Sequence, residues 1–148
     1  MIPFIYAAEE KCFGTVPAVI VNGDVLFTVT GGHIAITGLQ SVCITANDGT
    51  ASTLQYSTDP TDGAATTISA ASASLANAAA GASVTLQGTA LTTAPTVSAN
   101  GAALGQTREI IVQPGTITAV VGVGSTTGTW KHNIRYRPLN PDAQIAGT

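Results

Sequence analysis

The strongest apolar periodicity along this chain is two. Val25, Phe27 and Val29 alternate with Leu26, Thr28 and Thr30, and after Gly31-Gly32 the run His33-Ile34-Ala35-Ile36-Thr37 resumes the pattern. Two period-two runs on either side of a glycine pair predict a hairpin. Earlier, Val19, Ile20 and Val21 lead into Asn22-Gly23-Asp24, whose residues tolerate positive φ and mark a turn. Val42 and Ile44 followed by Asn47-Asp48-Gly49 repeat the theme, and residues 53–57 form another short strand closed by Asp59-Pro60-Thr61-Asp62-Gly63. In the last third, Ile110, Ile111 and Val112 run into a Pro114-Gly115 turn, and Ile117, Ala119 and Val121 alternate beyond it. The clearest strand comes last. Trp130, His132, Ile134 and Tyr136 fall on one face, while Thr129, Lys131, Asn133, Arg135 and Arg137 fall on the other. About eight to ten strands with no helical crossovers between them predict an all-β fold, an antiparallel β-sandwich or jelly roll.

Composition changes this picture in the middle of the chain. From residue 63 to residue 107 there is no ionisable side chain, only Ala, Thr, Ser and Gly with scattered Val, Leu and Ile. Such a stretch has little to bury and is expected to be ordered mainly by neighbouring subunits. Residues 69–80 are rich in Ala and stop at Gly81, which suits a short helix; without a wide apolar stripe an irregular loop suits them equally. The predicted organisation is an N-terminal arm over 1–15, a single β domain over 16–138 that contains the low-charge segment 63–107, and a C-terminal tail over 139–148. Pro3, Phe4, Ile5 and Tyr6 make the arm extended and sticky.

Charge narrows the function. The net charge is −3, and only five Lys and Arg are present. That is too few and too scattered for nucleic acid or an anionic membrane. The N-terminus lacks a basic leader with a sustained apolar run, and no apolar stretch is long enough to span a bilayer. Synthesis in a cytoplasm, with exit only inside an assembly, is the expectation. Cys12 and Cys43 have no metal-ligand spacing; two small buried thiols are expected, and a disulfide between them stays open.

Catalytic and metal chemistry find little support. His33 follows a glycine turn and His132 lies on the apolar face of the last strand, with no HxxxH, HxH or CxxC pattern. Asp24, Asp48, Asp59 and Asp62 all sit beside turn residues and fall short of a calcium loop. Glu9 and Glu10 would point to opposite faces of a strand, Glu109 is alone, and no GxSxG elbow exists. The chain is therefore expected not to be an enzyme, and no cofactor is expected. Lys131, Arg135 and Arg137 project from one side of a strand, either as a solvated face or as a docking strip for an acidic partner.

The segments Ile110-Ile-Val-Gln-Pro-Gly-Thr-Ile and Gly128-Thr-Trp-Lys-His-Asn-Ile-Arg-Tyr-Arg-Pro-Leu-Asn-Pro-Asp-Ala together resemble the C-terminal ends of small virion proteins of tailed bacteriophages. The likeness is to β-rich decoration, or cement, proteins, and it covers roughly the last forty residues plus the Ala/Thr/Gly texture. It implies a homotrimer on the capsid surface of a virion, bound noncovalently to the major capsid protein and stabilising the shell. No functional residue carries over individually. The docking candidates are Phe4 and Tyr6 of the arm and Lys131, Arg135 and Arg137. The alternative is a tail or fibre-tip protein that binds a host receptor or glycan. Deleting residues 1–8 is expected to weaken particle binding in a pelleting assay while circular dichroism stays that of the β fold; unchanged occupancy removes the arm from the contact.

Overall fold

The computed structural model describes residues 9–101 and 105–147. These form strands β1 (Lys11–Gly14), β2 (Val25–Thr30), β3 (Ile34–Cys43), β4 (Thr53–Pro60), β5 (Thr66–Thr67), β6 (Ser83–Thr85), β7 (Thr96–Ser98), β8 (Ile110–Val112), β9 (Gly115–Gly122), β10 (Trp130–Pro138) and β11 (Gln144–Gly147). A six-stranded sheet runs β1-β10-β3-β6-β7, with β8 also on β3, and a five-stranded sheet runs β11-β2-β9-β4-β5. All strand pairings are antiparallel. The two sheets pack face to face as a β-sandwich, as the alternation predicts.

β10 anchors the six-stranded sheet. Its even positions are buried and its odd positions half-buried from Trp130 to Pro138. It pairs with β1 on one side and along almost the whole of β3 on the other, with one bulge between Arg135 and Tyr136. Lys11–Gly14, in the stretch read as an arm, is thus a strand, and Gln144–Gly147 pairs with β2.

The hairpin predicted across Gly31-Gly32 does not form. β2 belongs to the five-stranded sheet and β3 to the six-stranded one, so the glycine pair carries the chain between layers. Gly31 has φ of +79°, and a Cβ there would stand 1.9 Å from the Asp142 carbonyl oxygen. Asn140 Oδ1 accepts the His33 N–H at 2.7 Å and holds the crossing in place. Pro114-Gly115 acts in the same way, since β8 and β9 lie in different sheets. Period-two patterning records that a strand is half-buried, not which sheet it joins.

Residues 69–80 form no helix. They run along the edge of β4 beyond β5 and lend it hydroxyls: Ser72 Oγ accepts the Leu54 N–H at 2.9 Å and Ser69 Oγ accepts the Tyr56 N–H at 3.0 Å. Backbone bonds from Ser72 to Leu54 and from Leu75 to Ser52 complete the seam. A helix would satisfy its own backbone and leave this edge of β4 bare, so the edge wins. In the described part of the uncharged stretch several aliphatic side chains enter the chain's own core. Ile68, Leu75, Ala82, Val84 and Leu86 are all buried in the core.

The core lies between the sheets. Phe27, Leu54, Tyr56 and Ile117 from one face Leu39, Trp130, Ile134 and Tyr136 from the other. Phe13 meets Phe27 edge to face with centroids 6.2 Å apart. Cys43 is buried but Cys12 is exposed, contrary to the expectation for both, because Cys12 shares the outer face of β1 with its partner Arg135. The two thiols are free. Their partners on β10, Arg135 and Trp130, are five residues apart, roughly 17 Å at strand rise, which is beyond disulfide reach.

Asn47 ties the far end of the sandwich. Its Oδ1 accepts the Gly128 N–H at 2.8 Å and the Trp130 Nε1–H at 3.2 Å, and its Nδ2 donates to the Leu75 carbonyl at 3.0 Å. Asn47→Ala strands all three groups out of water and is expected to cost on the order of 2–4 kcal/mol. Urea unfolding followed by Trp130 fluorescence reads the loss; a midpoint within error of wild type contradicts the role.

Candidate functional site

The outer face of the six-stranded sheet carries the row that the alternation predicts. Lys131, Arg135 and Arg137 lie on it together, each half-buried. Two of the three are already engaged. Arg135 Nε lies 2.9 Å from Glu10 Oε1, an ion pair without an aligned hydrogen bond, and Arg137 Nη2 pairs with Glu109 Oε2. Partly exposed pairs of this kind are worth about 1 kcal/mol or less each. Lys131 has no carboxylate partner among the described residues. Phe4 and Tyr6, the other docking candidates, lie outside the described residues.

Glycine shapes the same face. Gly14 on β1 stands opposite Asn133, and Gly38 on β3 stands opposite Arg135, so both flanks of β10 lack a side chain on the outer side. The result is a trough of about 380 Å³ lined by Gly14, Gly38, Gln40, Lys131, Asn133 and Arg135 among others. The Lys131 stem lies along it, since a Cβ on Gly14 would come 3.2 Å from Lys131 Cε.

The opposite sheet presents a different surface. Cross-strand partners share a face, so the register places Ala146, Thr28, Thr116 and Asp59 in one row of the outer side. Val25, Thr118, Ser57 and Thr67 form the next row. Val120 with Gln55, and Thr30 with Gln144, extend it. Rows are spaced about 6.8 Å along the strands and about 4.8 Å across them. Among the described residues this face holds no Lys or Arg and one carboxylate, Asp59. All five cations of the chain lie on β1, on β10 or just before β8, elements of the other sheet. This array was missed in the sequence. Its signal was the threonine at alternate positions 28 and 30, and again 116 and 118, which is visible only once β2 and β9 are known to be neighbours.

Between the layers runs a buried polar chain. Tyr56 Oη and Ser41 Oγ are 2.6 Å apart, and Ser41 Oγ and His132 Nδ1 are 2.6 Å apart. Tyr56 belongs to one sheet and the other two to its partner, so the chain pins the layers in register. The Tyr56 hydroxyl also donates to the Val84 carbonyl at 3.4 Å, and the direction of the protons along the chain follows the imidazole tautomer. Ser41 is wholly buried, so its hydroxyl has no access to solvent. Burial pushes the Tyr56 phenol above its usual range. Burial also lowers His132 from 6.5 to about 4, against an opposing pull from Asp24. Asp24 and Asp48 serve their own turns, accepting the Val21 and Thr50 N–H groups at 2.8 Å each. No three His, Cys, Asp or Glu side chains gather as a metal-binding group among the described residues.

His132 makes stability depend on pH. The unfolded imidazole takes its proton near 6.5 and the folded one at about 4, so the unfolded state binds more protons between these values. Stability is full above 6.5 and falls as pH drops towards 4, by on the order of 3 kcal/mol for a shift of this size. Urea denaturation at pH 7 and pH 4.5 should show that loss in wild type and a smaller one in His132→Gln. An NMR titration of the imidazole gives the same answer if the variant folds poorly, and a midpoint near 6.5 contradicts it.

A family model described as "Putative Ice-binding-like adhesive domain" matches residues 6–146. No curated protein and no solved structure matches the chain. The match supports an adhesive or structural role.

Proposed function

The chain belongs to this family of ice-binding-like adhesive domains, and we propose from that premise that it is a structural adhesive module whose contact surface is the outer face of the five-stranded sheet. The observation that carries the reading is the Thr/Val-rich array on β2, β9 and β4, whose one charge among the described residues, Asp59, lies at its rim. Burying such a face desolvates hydroxyls and methyls, whereas each unpaired ion carried into a contact costs several kcal/mol. β-Branched side chains are stiff at χ1, so little rotamer freedom is lost on docking. A weak contact of this kind becomes firm when many copies meet one repeating surface.

The repeating surface that fits best is an assembled protein shell. In this reading the protein decorates the capsid of a tailed bacteriophage, binds the major capsid protein, associates with itself as a homotrimer and travels on the virion surface, with no catalytic step and no cofactor. The resemblance of roughly its last forty residues to decoration proteins and the cation-free Thr/Val face both support it. A tail or fibre-tip protein that binds a host glycan is the second reading. Sugar platforms want exposed aromatic rings, and among the described residues Phe27, Tyr56, Trp130 and Tyr136 are buried and Phe13 is half-buried. That arrangement favours the shell.

Thr118→Lys and Val120→Glu place a charge in the middle of the array without touching the core. Each should lower co-pelleting with empty shells at least tenfold while the unfolding midpoint stays within about 0.5 kcal/mol of wild type. Undiminished pelleting removes this face from the contact, and shaping of growing ice crystals by wild type, lost in both variants, redirects the reading to ice.

A further inference from the structure

We propose that the trough on the six-stranded sheet receives the acidic turn over residues 59–62 of a second copy of this chain, so that copies join head to tail. The inference rests on the self-association in the reading above; the trough lies on the sheet opposite the adhesive face, the turn ends β4 at the rim of that face, and adhesion is measured separately.

Charge complementarity selects the occupant. Lys131 is the one member of its row left without a carboxylate among the described residues, because Arg135 and Arg137 are held by Glu10 and Glu109. The amides of Asn133 and Gln40 stand opposite one another in the same trough and offer both donors and acceptors. A ligand for this lining carries a carboxylate for the ammonium and backbone groups for the amides, which describes an acidic turn of a protein.

The chain itself displays such a turn. Glu10 and Glu109 are occupied by arginines, and Asp24 and Asp48 by backbone N–H groups of their own turns. Glu9, Asp59, Asp62 and Asp142 are exposed and have neither kind of partner among the described residues, and of these only Asp59 and Asp62 share one turn. They flank Pro60, and the Thr61 N–H donates to the Pro114 carbonyl at 2.9 Å, so the turn is fastened to the chain just before β9. A turn already held in shape loses little freedom on docking.

Trough and turn belong to opposite sheets, so one copy cannot satisfy itself. The contact is heterologous, the kind that closes a ring when the rotation between copies allows it. Gly14 and Gly38 then have a use beyond the strand. Any side chain at either position would fill the space the incoming turn needs, and at Gly14 a Cβ would already meet Asn133 Oδ1 at 2.9 Å.

The test reverses both charges. Wild type, Lys131→Glu, Asp62→Lys and the double variant Lys131→Glu/Asp62→Lys are compared by light scattering and sedimentation. Wild type should form a closed oligomer of the 14.7 kDa chain. Lys131→Glu should fall to monomer, because its trough and turn then carry like charges, and Asp62→Lys, whose turn keeps Asp59 and loses its net charge, should associate at least tenfold more weakly than wild type. The double variant sets a carboxylate at 131 against an ammonium at 62 and should associate more tightly than either single variant. A monomeric wild type, single variants that assemble as tightly as wild type, or a double variant no tighter than the singles each overturns the proposal. Thr118→Lys, on the other sheet, should keep the oligomer while losing adhesion, so failure of the junction and failure of the adhesive face are told apart.

Discussion

Two sheets that face each other must also end, and the way their edges are satisfied governs the rest of this molecule. A strand edge offers a row of N–H and C=O groups that need partners or invite aggregation. Many proteins guard such edges with lysine. Here short polar side chains do it from within the chain. Ser69 and Ser72 take the N–H groups of β4, Thr126 Oγ1 accepts the Ile20 N–H at 2.8 Å, and Thr15 Oγ1 accepts the His132 N–H at 3.0 Å. A hydroxyl reaches a neighbouring backbone group without carrying a charge that must then be solvated. Within the uncharged stretch, Ser69 and Ser72 seal the edge of β4 while Ile68, Leu75, Val84 and Leu86 enter the core.

Because edges are sealed with hydroxyls, charge is free to segregate. The cations all fall on one sheet or its immediate connections, and two of them are neutralised there by Glu10 and Glu109. The other sheet keeps an outer face of Thr, Val, Ser and Gln. Such a surface has enough methyl groups to gain from dehydration and enough hydroxyls to stay wetted when alone. Adhesive work asks for that compromise, since the domain must exist free before it sticks.

How much of this was legible depended on whether a feature was local. β10 could be read residue by residue, because alternation decides which side of a strand is buried. The all-β class followed from turn residues between short runs. Pairing was not legible. Gly31-Gly32 and Pro114-Gly115 look like hairpin turns in isolation, yet both carry the chain across the sandwich, because a close approach to Asp142 or to Asp59 demands glycine as firmly as a turn does. The alanines of residues 69–80 have helix propensity, but an unfinished edge of β4 outbid it with several backbone bonds. The threonine array needed β2 and β9, some ninety positions apart in the chain, to be known as neighbours. The trough needed Gly14 and Gly38 to be placed on either side of β10.

The buried chain from Tyr56 through Ser41 to His132 acquires its meaning from these two outer surfaces. Apolar packing between sheets is tolerant: aliphatic layers slide and repack at small cost. Two short hydrogen bonds in a dry interior are not tolerant, because a shift that breaks one leaves a buried polar group without a partner. They fix one sheet against the other to within hydrogen-bond length. If the trough and turn set the angle between copies while the Thr/Val face meets the adherend, the angle between the sheets decides whether every copy can present its face at once. A sandwich free to slip would bind as single copies and lose the multiplication that repetition supplies. Under the proposed assembly, the layer lock is a condition of avidity as much as of stability.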